Sequence, residues 1–129
     1  MVIDTSALAA IFFHEPERNA FRDAIVSASS RLISAATALE AGIVIEGRRG
    51  GGAGREFDLF IVRTQIQIVP IDADLADLAR SAWRKYGKGR HPAGLTFGDC
   101  FSYALAKATG EPILAKGTDF AKTDVPIHA

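Results

Sequence analysis

Met1-Val2-Ile3-Asp4-Thr5-Ser6-Ala7-Leu8 is the stretch on which the reading of the whole chain turns. An apolar run ends at an acid, and helix-compatible residues follow at once. This predicts a short buried strand from Val2 to Thr5, with Ser6 capping a brief helix that continues through Phe13. In open parallel α/β sheets, ligands bind in the crevice beyond the carboxyl ends of the strands. Asp4 therefore becomes the first candidate functional residue.

Working outward, the same alternation recurs. Glu15-Pro16 can open a second helix to about Ser29, in which Phe21, Ile25 and Ala28 share a face. Arg31 to Ser34 reads as a strand and Ala35 to about Arg49 as a helix, stopped by Gly50-Gly51-Gly52. A helix from Arg55 to about Gln65 precedes a strand carried by Ile66, Ile68, Val69 and Ile71. Asp72 can cap the next helix, whose core stripe is Leu75, Leu78, Ala79, Ala82 and Trp83. The segment 87–94, rich in glycine and containing Pro92, must be a loop. A helix from Phe97 to Thr109 then leads to a strand at 112–115, and Val125 to Ile127 offers a short fifth. Strands separated by helices imply parallel pairing with right-handed crossovers, here a small α/β sandwich in a single domain, 1–129.

At 129 residues, with 48% hydrophobic and 23% charged residues, the composition is that of an ordinary globular domain. Fifteen basic and fifteen acidic residues cancel, which argues against broad electrostatic adhesion to nucleic acid but leaves room for local basic patches. Arg48, Arg49 and Arg55 form one such cluster, and Lys85, Lys88 and Arg90 another. A single cysteine, Cys100, excludes an internal disulfide framework. With no leader or membrane-spanning run recognised in the sequence, the expected location is the cytoplasm.

Three further acids join Asp4. Glu40 has Ala36, Ile43, Val44 and Gly47 as its helical neighbours, a costly position for a carboxylate that lacks a partner or cation. Asp99 completes a capping box with Thr96, a sufficient structural role on its own. Asp119 follows the fourth strand and could simply stabilise a turn. Parallel strands would bring all four acids to one edge of the sheet. Carboxylates so grouped repel one another unless a hard cation neutralises them, and oxygen-only ligands favour Mg2+ or Mn2+.

At these residues the chain resembles the PIN-domain ribonucleases, specifically the VapC toxins of VapBC toxin–antitoxin systems. The matching stretches are 1–8, Ser34-Ala35-Ala36-Thr37-Ala38-Leu39-Glu40, the segment from Tyr86 to Cys100, and Gly117-Thr118-Asp119-Phe120 with Thr123-Asp124 behind it. The long segment before Asp99 is the most specific. The resemblance implies a three-layer PIN-like sandwich, with a central, mainly parallel sheet of four to five strands flanked by helices. It implies a magnesium-dependent endoribonuclease leaving 5′-phosphate and 3′-hydroxyl ends, with catalytic, metal-holding roles on Asp4, Glu40, Asp99 and Asp119. It also implies an RNA substrate, a cognate VapB-type antitoxin and a homodimer. Asp119 is preferred over Asp124 as the fourth acid because it lies nearer the strand end. Thr96 stands where many relatives carry Asn, and Lys116 stands where an apolar residue is common and could alter the charge beside the site.

Ser6, Lys88 and Arg90 are candidate RNA contacts; a helix cap and a solvated loop are their structural alternatives. His91 reads as a surface-loop histidine, and Trp83 as a core residue rather than a base-stacking one. The apolar helices 7–13 and 21–28 exceed what a small core needs, which suggests a partner-facing surface. Two other functional classes remain: a phosphoacceptor receiver-like domain, which Lys116 fits loosely but Asp58 does not, and a non-catalytic interaction module.

Overall fold

The computed structural model describes residues 1–128. In chain order it contains β1 (Val2–Ile3), α1 (Thr5–Phe12), α2 (Arg18–Ser27), β2 (Leu32–Ser34), α3 (Ala35–Arg49), α4 (Gly51–Arg63), β3 (Gln67–Val69), α5 (Ala73–Tyr86), α6 (Phe97–Thr109) and β4 (Ile113–Leu114). A 3-10 turn, Phe120–Lys122, follows. The expected α/β sandwich on a parallel sheet is what forms.

The strands lie in the order β3-β2-β1-β4, all parallel. The register pairs Val2 with both Leu32 and Ile113, and Ile33 with Ile68. Successive side chains point to opposite faces of a strand. Val2 and Ile113 accordingly enter the core beneath α5 and α6, while Ile3, Ile33 and Leu114 enter the core shared with α1 to α4. Both faces are covered at β1, β2 and β4, which is why these strands read as continuous apolar runs, whereas the edge strand β3 stays largely exposed.

The chain steps outward from β1 to β2 to β3 and then returns through α5 and α6 to place β4 on the other side of β1. Asp4 N–H donates to Leu114 O at 3.0 Å across that junction. The carboxyl end of β1 is therefore the topological switch point of the sheet, where such folds open a crevice. Asp4 sits on it.

Several local expectations change. Asp4, not Ser6, caps α1, because its carboxylate can reach the Ser6 N–H at 3.0 Å; β1 stops at Ile3 in consequence. The second helix begins at Arg18 rather than Glu15. Only Gly50, at φ +86°, breaks the chain between helices; Gly51 to Gly54 already belong to α4, where buried Gly54 makes room for the Glu46 side chain. The tail contributes one parallel bridge, Ile127 to Ile113, rather than a strand. Ala7, Leu8, Ala10, Ile11 and Ile25 are consumed by the core, while Val26 on α2 stays exposed; further apolar surface lies at Leu39, Ile43, Val62 and Ile68. Trp83 leaves its expected core stripe and is 45% exposed.

Candidate active site

Asp4 is 3% exposed. Its Oδ2 accepts from Ser6 N–H at 3.0 Å and from Ser6 Oγ at 2.7 Å, and its Oδ1 accepts from Ser102 Oγ at 2.6 Å. Ser102, on α6, lies 3.5 Å from Thr37 Oγ1, which accepts from Ser34 Oγ at 2.8 Å. A buried chain of hydroxyls thus ties Asp4 to the start of α3 and to the second turn of α6. Burial pushes the Asp4 carboxyl above the ordinary carboxylate range; bonds from Ser102 and Ser6 oppose this, and the charge of Glu40 adds to it.

Glu40 rises from the second turn of the expected helix, but the apolar stripe around it does not face the core: Leu39 and Ile43 are exposed. Its Oε1 accepts from Thr5 Oγ1, the first residue of α1. The other oxygen lies over the backbone of Gly98, where a Cβ would stand 2.2 Å from it. A glycine in the first turn of α6 is what lets this carboxylate approach.

Asp99 forms the anticipated capping box: it accepts from Thr96 N–H at 2.9 Å, and Thr96 Oγ1 accepts from Asp99 N–H. Burial raises its carboxyl, the Thr96 bonds counter this, and the charges of Asp4 and Asp119 raise it further. Besides capping α6, its carboxyl sits in the field of two other acids. Asp119 is exposed at the head of the 3-10 turn and makes no capping bond with its side chain. Asp124 is engaged elsewhere, with Tyr103 Oη at 2.6 Å and Lys107 Nζ at 2.7 Å; those bonds draw its carboxyl down to about 2.

The fold therefore gathers Asp4, Glu40 and Asp99 around the N-termini of α1 and α6, with Asp119 at the rim. Among the described residues none of the four forms an ion pair. Among those residues, too, no three acids, histidines or cysteines stand close enough to make a preformed metal cage. The donor chemistry nevertheless fits a hard divalent cation: carboxylate oxygens, buried at Asp4 and half-buried at Glu40 and Asp99, whose bonds in these three are to hydroxyl and backbone N–H groups.

Ser6 lies inside α1 and accepts from Lys116 N–H at 2.9 Å, so its hydroxyl ties α1 to the loop after β4. The Lys116 ammonium is held by Glu15 and, at 3.3 Å, by Glu17, which directs its charge away from the acids. Lys88 and Arg90 are exposed on the loop after α5, and Arg90 lies over the Trp83 ring at 4.6 Å. His91 Nδ1 accepts from Ala93 N–H at 3.0 Å, a loop-shaping role. Thr5 and Ser102 were not anticipated. Ser102 stands three residues after Asp99 on one helix face, the only sequence signal that could have pointed to it.

The family model for the PIN domain matches residues 1–126. The chain is 54% identical to a Ribonuclease VapC of Mycolicibacterium smegmatis, over 97% of both chains. It is 53% identical to Ribonuclease VapC30 of Mycobacterium tuberculosis, over 97% of this chain and 95% of that one. Among solved structures it is similar to the Mycobacterium tuberculosis VapC20, a Sarcin-Ricin loop cleaving toxin, with a TM-score of 0.75 at 21% identity, covering 93% of this chain and 92% of that one. The VapBC2 structure from Rickettsia felis gives 0.75 at 10% identity, covering 98% and 96%. At those identities the structural likeness speaks for the fold. The family match removes the receiver-like alternative, and Asp58 lies within α4 rather than at a strand end.

Proposed function

The chain belongs to the PIN-domain family, and on that premise we propose that it is the ribonuclease toxin of a VapBC-type pair, a magnesium-dependent endoribonuclease acting in the cytoplasm. One observation carries the catalytic part: Asp4 is buried at the switch point of the sheet, beside Glu40 and Asp99, without a cationic partner among the described residues. A buried carboxylate so placed is unfavourable unless a cation joins it.

Asp4, Glu40, Asp99 and Asp119 would hold the ion, Mg2+ or Mn2+. Such an ion supplies charge stabilisation for a phosphodiester and acidifies water at the site. The chain's own residues do the rest. Ser6 and Ser102 fix both oxygens of Asp4, and Thr5 fixes one of Glu40. Ser102 is fully buried, and Ser6 Oγ is held between Asp4 and the Lys116 N–H, so both hydroxyls serve to hold the site and water is the attacking group. Lys88 and Arg90 supply phosphate contacts along the strand.

The partner half of the proposal rests on exposed apolar surface. Leu39, Ile43, Val62 and Ile68 are 65%, 63%, 73% and 49% exposed. Contiguous apolar surface on a small protein marks an interaction site. A VapB-type antitoxin and a second copy of the chain are the proposed partners.

The test compares wild type with Asp4→Asn. Wild type cuts RNA with magnesium and stops in excess chelator; the variant keeps its circular dichroism spectrum and does not cut. Undiminished cleavage by the variant, or in chelator, defeats the proposal.

A further inference from the structure

Beside the acids, α5 and α6 enclose a groove of about 600 Å3. Its walls include Trp83, Leu95, Phe97 and Phe101, and its rim carries Arg80 and Lys88; no acid lines it. Phe97 is 82% exposed, the largest exposure of any aromatic described, and Trp83 is 45% exposed. Two aromatic rings left open to water on the walls of one groove are unfavourable unless something covers them. Phe97 and Phe101 meet edge to face at 5.1 Å, so one ring supports the other.

The groove is continuous with the acidic site. Phe97 also borders the adjoining depression that contains Glu40 and Gly98. Thr96, on the groove wall, is bonded through its N–H to the Asp99 carboxylate at 2.9 Å. A phosphodiester held at the acids would thus have its neighbouring nucleoside at the mouth of this groove. Its charge also suits that occupant. The rim is cationic, Arg90 stacks on Trp83, and the walls offer flat apolar faces. Aromatic faces flanked by cations are how proteins hold single-stranded nucleic acid.

We propose that the α5–α6 groove seats an unpaired base of the RNA next to the scissile phosphate, with Trp83 and Phe97 stacking on it and Arg80 and Lys88 holding the adjacent phosphates. This makes Trp83 and Phe97 specificity-determining residues, and it rests on the ribonuclease reading above.

Trp83 is the only tryptophan of the chain, so its fluorescence reports on the groove. The full-length Asp4→Asn protein is titrated with a short single-stranded oligoribonucleotide and with the same backbone lacking bases. The intact strand should quench Trp83 and the abasic strand should not. Adding Phe97→Ala should weaken binding about tenfold. In the otherwise wild-type enzyme, Phe97→Ala and Trp83→Ala should flatten the base preference next to the cut in a randomised RNA pool. Labelled RNA that binds without quenching Trp83, equal quenching by the abasic strand, or an unchanged cleavage profile overturns the proposal. So does Trp83 emission that follows protein concentration but not RNA, since the groove would then seat a second copy. Wild type that binds the strand but cuts no RNA with magnesium would instead overturn the ribonuclease reading itself, so the two failures are distinguishable.

Discussion

Ser102 Oγ donates a 2.6 Å hydrogen bond to Asp4 Oδ1 across 98 positions of sequence, and both residues are buried. This bond fixes the orientation of the acid that opens the site, because it takes one carboxylate oxygen while Ser6 takes the other. It also joins the end of β1 to the helix that carries Asp99.

Ser102→Ala should therefore act on both stability and activity. Losing a hydrogen bond to a buried charged group costs about 1.5–3 kcal/mol. Outer partners of metal-holding carboxylates are typically worth roughly 10–100-fold in affinity or rate. Urea denaturation and a magnesium titration of cleavage check both. Unchanged magnesium dependence in a folded Ser102→Ala protein would remove Ser102 from the site.

Asp4→Asn should abolish cleavage yet stabilise the metal-free fold. The sign follows from the raised folded-state pKa of Asp4. For an acid raised in the folded state, folding is favoured below the unfolded value and penalised as pH rises through the folded one. Burial penalises the ionised carboxylate, whereas asparagine carries no charge and retains an acceptor for Ser102 while giving up those for Ser6. A gain on the order of 1 kcal/mol is expected in chelator. Magnesium should raise the melting temperature of wild type more than that of the variant. A variant less stable than wild type in chelator contradicts this reading.

Gly98→Ala separates helix propensity from site geometry. Alanine favours a helix over glycine by about 1 kcal/mol. Here its Cβ would stand 2.2 Å from a Glu40 oxygen, so the carboxylate must move. Cleavage should fall at least about tenfold, while stability changes little or rises by up to about 1 kcal/mol, because the flexible Glu40 end can swing aside. A more stable and fully active variant would show that Glu40 is free to relocate.

Asp119 and Asp124 should part company. Asp119→Asn is expected to reduce cleavage, and Asp124→Asn to leave it unchanged. Asp124 instead supports the fold through Tyr103 and Lys107. Its pKa is lowered to about 2 from 3.8, so its contribution is present above pH 4 and lost as pH falls towards 2. The pair is partly exposed, so the loss at neutral pH should stay below about 1 kcal/mol. Urea midpoints of wild type and Asp124→Asn should differ above pH 4 and converge as pH falls from 4 to 2. A cleavage defect in Asp124→Asn, with Asp119→Asn active, would reverse the assignment.

Much of the fold was legible locally. The capping box of Thr96 and Asp99 and the Asp72 cap follow from short-range chemistry, and both form as read. The apolar helix face around Glu40 misled, because apolar spacing locates a stripe without saying what covers it. Leu39 and Ile43 prove exposed, and the Trp83 ring likewise turns outward. Gly51 to Gly54 misled in another way: their high cost in a helix is outweighed where Gly54 packs on Glu46.

The sequence by itself determined the order of strands and helices, the four acids and their place after strands or at helix starts. Those depend on residue period, caps and turns, which act over a few positions. Tertiary structure alone decided that β4 lies beside β1, that Ser102 and Thr5 hold the acids, and that Asp124 is drawn into an ion network while Asp119 is left open. These depend on parallel pairing and packing between distant segments, whose partners no local pattern specifies. Asp4 shows the division most clearly. Its position after an apolar strand was readable, but its burial at the sheet's switch point required the chain to return.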